Sequence, residues 1–238
     1  MIDDLNLNFD FGGVEIEDVN LSGFDLQIGY EEETRYCKPK LHALKSSQII
    51  YNHAVELARD IDIRNKHRYD VVVSGNFIFG DYIEAFLKYW NVRCLKMTIT
   101  TLSMSQDNID SLENLLNGGY IDELNIIVSA YFYSHERRSL IPYMYKRLDK
   151  GNRFQLAVAG IHTKTCQFKT LGGKHVVMHG SANLRSSGNI EQFTIEDNEE
   201  LYNFYDCMFD DILSRYKTIN KQIRGNDLWN IINNKKRR

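Results

Sequence analysis

The stretch Ile161-His162-Thr163-Lys164, followed by the run His175-Val176-Val177-Met178-His179-Gly180-Ser181-Ala182-Asn183 and then by Glu191, decides how this chain is read. His162 and Lys164 stand two residues apart, so on a strand they project from one face, side by side over any pocket there. Between them and the second run, Leu171-Gly172-Gly173-Lys174 has the composition of a hairpin turn. Val176-Val177-Met178 then reads as a returning strand that delivers Gly180-Ser181-Ala182-Asn183 at its end. The two half-motifs are thereby folded together.

Outward from this stretch the pattern alternates between strands and helices. Strands are predicted at Tyr69 to Ser74, Cys94 to Thr101 and Glu123 to Ala130, and one long strand at Phe154 to Phe168. Helices are predicted at Asp81 to Trp90, at Asp107 to Leu116 before Asn117-Gly118-Gly119, and at Leu140 to Leu148 with Pro142 in the first turn. Ser46 or Ser47 reads as a cap for a helix through Ile50, Ala54, Leu57 and Ile61, ending near Asp62. A last helix spans Asn198 to about Tyr216, with Leu201, Phe204, Tyr205, Met208, Phe209 and Ile212 as its apolar face. This order implies an α/β fold with a mixed, largely parallel sheet flanked by helices.

The 238 residues, 43% of them hydrophobic, are enough for one sizeable core. The organisation read from the sequence is an acidic arm over 1–35, an α/β domain over 36–220 and a basic tail over 221–238. Residues 1–35 hold ten Asp or Glu against Arg35 alone, whereas residues 36–238 hold 28 Lys or Arg against 22 Asp or Glu. The net charge of −3 therefore hides a basic folded part ending in Lys235-Lys236-Arg237-Arg238, which suits a polyanionic partner. Apolar runs are far short of a membrane span and the acidic start lacks the regions of a signal peptide, so a soluble cytoplasmic protein is expected. Cys37, Cys94, Cys166 and Cys207 are scattered, a pattern of reduced thiols rather than of a disulfide framework or zinc knuckle.

The elements His162-x-Lys164 and Gly180-Ser181-x-Asn183, with Glu191 downstream, resemble the HxK and GSxN signature of the phospholipase D superfamily, in its single-motif, nuclease-like branch. The resemblance implies catalytic roles for His162, Lys164, Ser181, Asn183 and Glu191, and puts His179, Lys169 and Arg185 forward as substrate contacts. Position 169 is Lys where the fuller HxKxxxxD form carries Asp, a departure that weighs against phospholipase-type activity, weighs less against the nuclease branches that lack this acid, and is the best sequence support for a member that binds without cleaving. The implied activity is metal-independent phosphodiester cleavage, of DNA or RNA, without a cofactor. Only one copy of the motif is present, so the resemblance implies a homodimer whose two-fold axis brings two His162 together. The alternative is a degenerate member that binds nucleic acid or a protein without cleavage.

From the residues themselves, imidazole is a competent nucleophile toward phosphorus, and Lys and Asn side chains suit its non-bridging oxygens. His175 and His179 share one strand face, but with Cys166 they lack the carboxylate or cysteine pair that would complete a metal site. Ser134-His135-Glu136-Arg137-Arg138 reads as a capped helix start with solvated charges, or as a phosphate-contacting loop.

Overall fold

The computed structural model describes residues 45–51, 53–63, 67–73, 77–185 and 188–216. The acidic arm, the basic tail and residues 74–76 lie outside the described residues. The described strands are β1 Lys45–Tyr51, β2 His67–Val73, β3 Cys94–Thr101, β4 Ile121–Ser129, β5 Phe154–Ala159, β6 Thr165–Thr170, β7 His175–Gly180 and β8 Glu191–Asp197. The helices are α1 Ala54–Asp60, α2 Phe79–Tyr89, α3 Gln106–Asn117, α4 Ala130–Glu136, α5 Leu140–Leu148 and α6 Glu199–Tyr216. The chain is thus α/β, with one sheet in the order β1-β2-β8-β7-β6-β3-β4-β5.

The sheet is mixed. β1 pairs parallel with β2, and β3, β4 and β5 run parallel to one another, while β8, β7 and β6 are joined by antiparallel pairings to each other and to β2 and β3. One edge of the sheet therefore gathers the carboxyl ends of β2, β3, β4, β5 and β7 with the beginnings of β6 and β8. That is the edge at which open α/β sheets bind their ligands.

Alternation along the strands sorts the core into two layers. Ile126, Val128, Leu156, Val158, Cys166, Phe168, Val176, Met178 and Phe193 join the buried residues of α1 to α5 in the main core. Ile127, Ala157 and Ala159 point to the other side and pack with Phe209 and Leu213 of α6. Tyr205 and Phe209 stack at 5.7 Å between ring centroids. The buried stripe of α6 is rotated from the expected one, with Tyr202 and Leu213 buried and Phe204 66% exposed.

Local chemistry explains several boundaries. Ser105 Oγ accepts from the Asn108 N–H at 3.3 Å and Asn108 Oδ1 accepts from the Ser105 N–H at 2.9 Å, a capping box that starts α3. Gly119, at φ +72°, follows its end in a conformation that costs glycine little. The hairpin between β6 and β7 turns on Gly173 at φ +82°.

Three expectations are corrected. The helix predicted from Ser46 or Ser47 is strand β1 followed by the short α1, since Ile49, Ile50 and Tyr51 are β-branched and aromatic residues that suit a pleated surface. The single strand predicted over Phe154 to Phe168 is two strands, β5 and β6, separated in the sheet by β4 and β3. Residues 160–164 form the crossover between them. The segment around Ser134 does not begin a helix. It closes α4, whose cap is Ser129, with its Oγ accepting from the Phe132 N–H at 3.0 Å.

Candidate functional site

The segment carrying His162 and Lys164 crosses the sheet edge from β5 to β6 and is fixed there by backbone and threonine contacts. Thr165 N–H donates to Thr100 Oγ1 at 3.0 Å, and Thr163 Oγ1 donates to the same oxygen at 3.1 Å. The carbonyl of Lys164 accepts from Gly180 N–H at 3.1 Å, which stitches the first half-motif to the second. Lys164 Nζ lies 3.4 Å from His162 Nδ1 and donates to the His162 carbonyl at 3.2 Å. His162 is exposed and Lys164 half-buried. The two side chains do stand together, but a loop sets their spacing rather than a strand face.

The second half-motif closes against β8. Gly180 ends β7 opposite Phe193, and a Cβ built on it would lie 2.2 Å from the Gln192 carbonyl oxygen and 2.6 Å from Phe193 Cα. Only glycine fits this approach. Ser181 N–H donates to the Gln192 carbonyl at 2.8 Å, and Gln192 N–H returns a bond to Ser181 Oγ at 3.0 Å. The Ser181 hydroxyl donates to Glu191 Oε2. Its proton is therefore committed to the carboxylate, and Ser181 serves to join the Gly180-Ser181 turn to the start of β8.

Asn183 is oriented from the end of β3, where the Leu102 N–H donates to its Oδ1 at 3.1 Å. This bond occupies the side-chain carbonyl and leaves the NH₂ group as the donating end. On either side, Ala182 and Leu184 are buried, and the Leu184 carbonyl accepts from Gly80 N–H at 2.9 Å near the start of α2. Thr100, Leu102 and Gln192 thus hold the site without belonging to the motif. No local spacing marks them, because Thr100 and Leu102 reach it from 63 to 81 residues away in sequence and Gln192 through main-chain atoms.

Burial pushes the Lys164 ammonium below the ordinary lysine value, and the Glu191 carboxylate partly draws it back up. The same coupling places Glu191 within electrostatic reach of Lys164. A cation with an imidazole beside it and a carboxylate within electrostatic reach has the chemistry to hold an anionic oxygen.

The remaining expected residues are distributed differently. Arg185 is exposed, two residues beyond Asn183 on the same connection. Lys169 is exposed on β6, in register with Lys96 and His175. It lies five residues beyond Lys164, about 16 Å along the strand and toward the opposite sheet edge. His179 faces α6, with its ring 5.9 Å from that of Tyr205 and its Nε2 buried and without a hydrogen-bond partner among the described residues. Burial also lowers its pKa. His175 shares that face, 5.1 Å from the Tyr202 ring. Among the described residues no group of three His, Cys, Asp or Glu side chains is arranged to hold a metal ion, and Cys94, Cys166 and Cys207 are free thiols. No described helix is long and apolar enough to cross a membrane.

Among solved structures, the chain is similar to Nuc from Salmonella typhimurium at 13% identity and a TM-score of 0.40, over 52% of this chain and 81% of that one. Nuc is itself a member of the phospholipase D family. It is also similar to NucT from Helicobacter pylori, with 18% identity and a TM-score of 0.43 over 62% of this chain and 96% of that one. Phosphatidylserine synthase from Haemophilus influenzae matches over 71% of this chain and 45% of its own length, at 13% identity and a TM-score of 0.46. No family model matches the chain, and neither does any curated protein.

Proposed function

We propose that this chain is a metal-independent phosphodiesterase that cleaves nucleic acid, with His162 as nucleophile. The observation that carries the reading is the joining of the two half-motifs at one sheet edge. Lys164 Nζ lies 3.4 Å from the His162 ring while the Lys164 carbonyl is bonded to Gly180 of Gly180-Ser181-Ala182-Asn183. In the first step a neutral ring nitrogen of His162 bonds to phosphorus as the bond to the leaving oxygen breaks, and that oxygen takes a proton from an acid opposite. In the second, water attacks phosphorus, the P–N bond breaks, and the water proton passes to the group that acted as acid. Lys164 and the Asn183 amide hold the non-bridging oxygens in both steps. An incoming phosphate competes for the Lys164 ammonium and so frees the imidazole lone pair that it faces.

The chain's motif supplies a single histidine, and the proposal therefore includes a homodimer in which the partner's copy of the motif provides the acid. Lys169 does not argue against catalysis. An acid at that position would lie about 16 Å along β6 from Lys164, away from the reacting end.

The reading is tested with purified chain and a labelled oligonucleotide in excess EDTA. Cleavage is expected to continue at its full rate, because no step in this scheme assigns work to a divalent ion. Loss of cleavage on chelation, restored by added metal, contradicts the scheme.

The electrostatics give a second expectation. Lys164 acts as a cation, so activity falls on the alkaline side as it deprotonates, and burial moves that fall to lower pH than an exposed lysine would give. The Glu191 carboxylate opposes the shift. In Glu191→Gln the alkaline limb of kcat/KM should move further down in pH, whatever the change in its plateau. A limb that stays fixed or moves up shows that Lys164 is not the group being titrated.

A further inference from the structure

Beside the proposed site, α4 carries an exposed aromatic pair that the fold does not require. Tyr131 is 71% exposed, and its ring centroid lies 4.1 Å from that of His135, one helical turn on, with 38° between the planes. His135 Nδ1 lies 2.9 Å from the Tyr131 carbonyl. A carbonyl oxygen only accepts, so this nitrogen carries the proton and donates. Ser134 Oγ donates to the same carbonyl at 2.7 Å. These contacts hold the imidazole against the tyrosine ring, while the tyrosine stays largely open to solvent.

The helix beneath is anchored, since Phe132 and Tyr133 are buried in the main core. The α4 helix begins where β4 ends, at the sheet edge that also carries the His162 crossover. In the order β6-β3-β4 the two strands are separated by one neighbour, which sets the start of α4 about 10 Å across the edge from the start of β6. Arg138, in the turn after α4, is exposed and makes no hydrogen bond or ion pair among the described residues. Its charge suits a phosphate of a strand passing over the platform.

We propose that Tyr131, backed by His135, is a stacking platform for an unpaired base of the substrate, which makes single-stranded nucleic acid the preferred substrate class. The inference rests on the phosphodiesterase reading above. A base inside a duplex is already stacked on both faces and has none to offer, whereas a single strand presents a free π-face for an aromatic ring beside a cationic track. The fixed ring pair loses little freedom on binding, so the contact favours affinity.

The test compares the full chain with Tyr131→Ala and Tyr131→Phe on a single-stranded DNA oligonucleotide, its duplex, and a strand of equal length made only of abasic units. Expected is a preference of the unaltered chain for the single strand over the duplex. A rise of roughly 5- to 150-fold in KM or Kd is expected for Tyr131→Ala on the base-bearing strand, the range that loss of one stacked base gives. The abasic strand should be handled alike by both, and Tyr131→Phe should behave as the unaltered chain. An unchanged value for Tyr131→Ala on the base-bearing strand, or an equal loss on both strands, overturns the platform. If the unaltered chain cleaves neither strand, the phosphodiesterase reading fails by itself, and affinities of the same variants measured by fluorescence anisotropy still decide the platform.

Discussion

Replacing His162 by Ala is expected to lower kcat for phosphodiester cleavage by on the order of 10⁴-fold or more, the scale on which removal of a nucleophile acts. At about 1.4 kcal/mol per tenfold, this corresponds to more than about 5 kcal/mol of lost transition-state stabilisation. The substitution should leave the fold intact, because the ring is exposed and its Nδ1 faces the ammonium of Lys164, a residue itself held through its own carbonyl. Thermal stability and oligonucleotide affinity of His162→Ala should match those of the unaltered chain. A variant that still turns over within tenfold of the original rate would remove His162 from the chemistry. A chain that binds the oligonucleotide but never cleaves it would favour the binding-only alternative.

The second large effect concerns stability. Gly180→Ala forces a methyl group to within 2.2 Å of the Gln192 carbonyl oxygen and 2.6 Å of Phe193 Cα, both main-chain atoms of β8. Backbone cannot swing aside as a flexible side chain would, so the strand pair must part. A cost of about 3 kcal/mol is expected, which for a domain of this size lowers Tm by roughly 6–12 °C. Activity should fall with it, since β8 begins at Glu191. Gly172→Ala is the matched control, because its Cβ would find only Thr170 Oγ1, at 3.7 Å, in an open hairpin. That variant should stay within about 0.5 kcal/mol of the original. Equal stabilities for the two variants would show that the Gly180 approach is not the constraint proposed here.

The parts of this fold that are legible in the sequence are those governed by local chemistry. β3 and α5 fall at their expected bounds, because a β-branched run and a proline in the first turn are decided within a few residues. The hairpin at Gly172-Gly173 is likewise local. What the sequence hides is what distant strands decide. Phe154 to Phe168 reads as one strand because apolar residues continue on both sides of Gly160, and only the placement of β3 and β4 between β5 and β6 turns 160–164 into a crossover. The shared face of His175 and His179 follows from alternation, yet nothing local shows that α6 covers it with Tyr202 and Tyr205. Thr100 and Leu102, which hold Thr165 and Asn183, belong to the same class of long-range contacts.

In the proposed scheme His162 carries the phosphoryl group between the two steps. That role is tested most directly by stopping a reaction with a labelled oligonucleotide in alkali during turnover, in EDTA, and mapping the adduct by mass spectrometry. Expected is a phosphoramidate on the peptide containing His162, present during turnover and missing from His162→Ala. Turnover with no adduct, or with the adduct on another residue, would contradict the scheme.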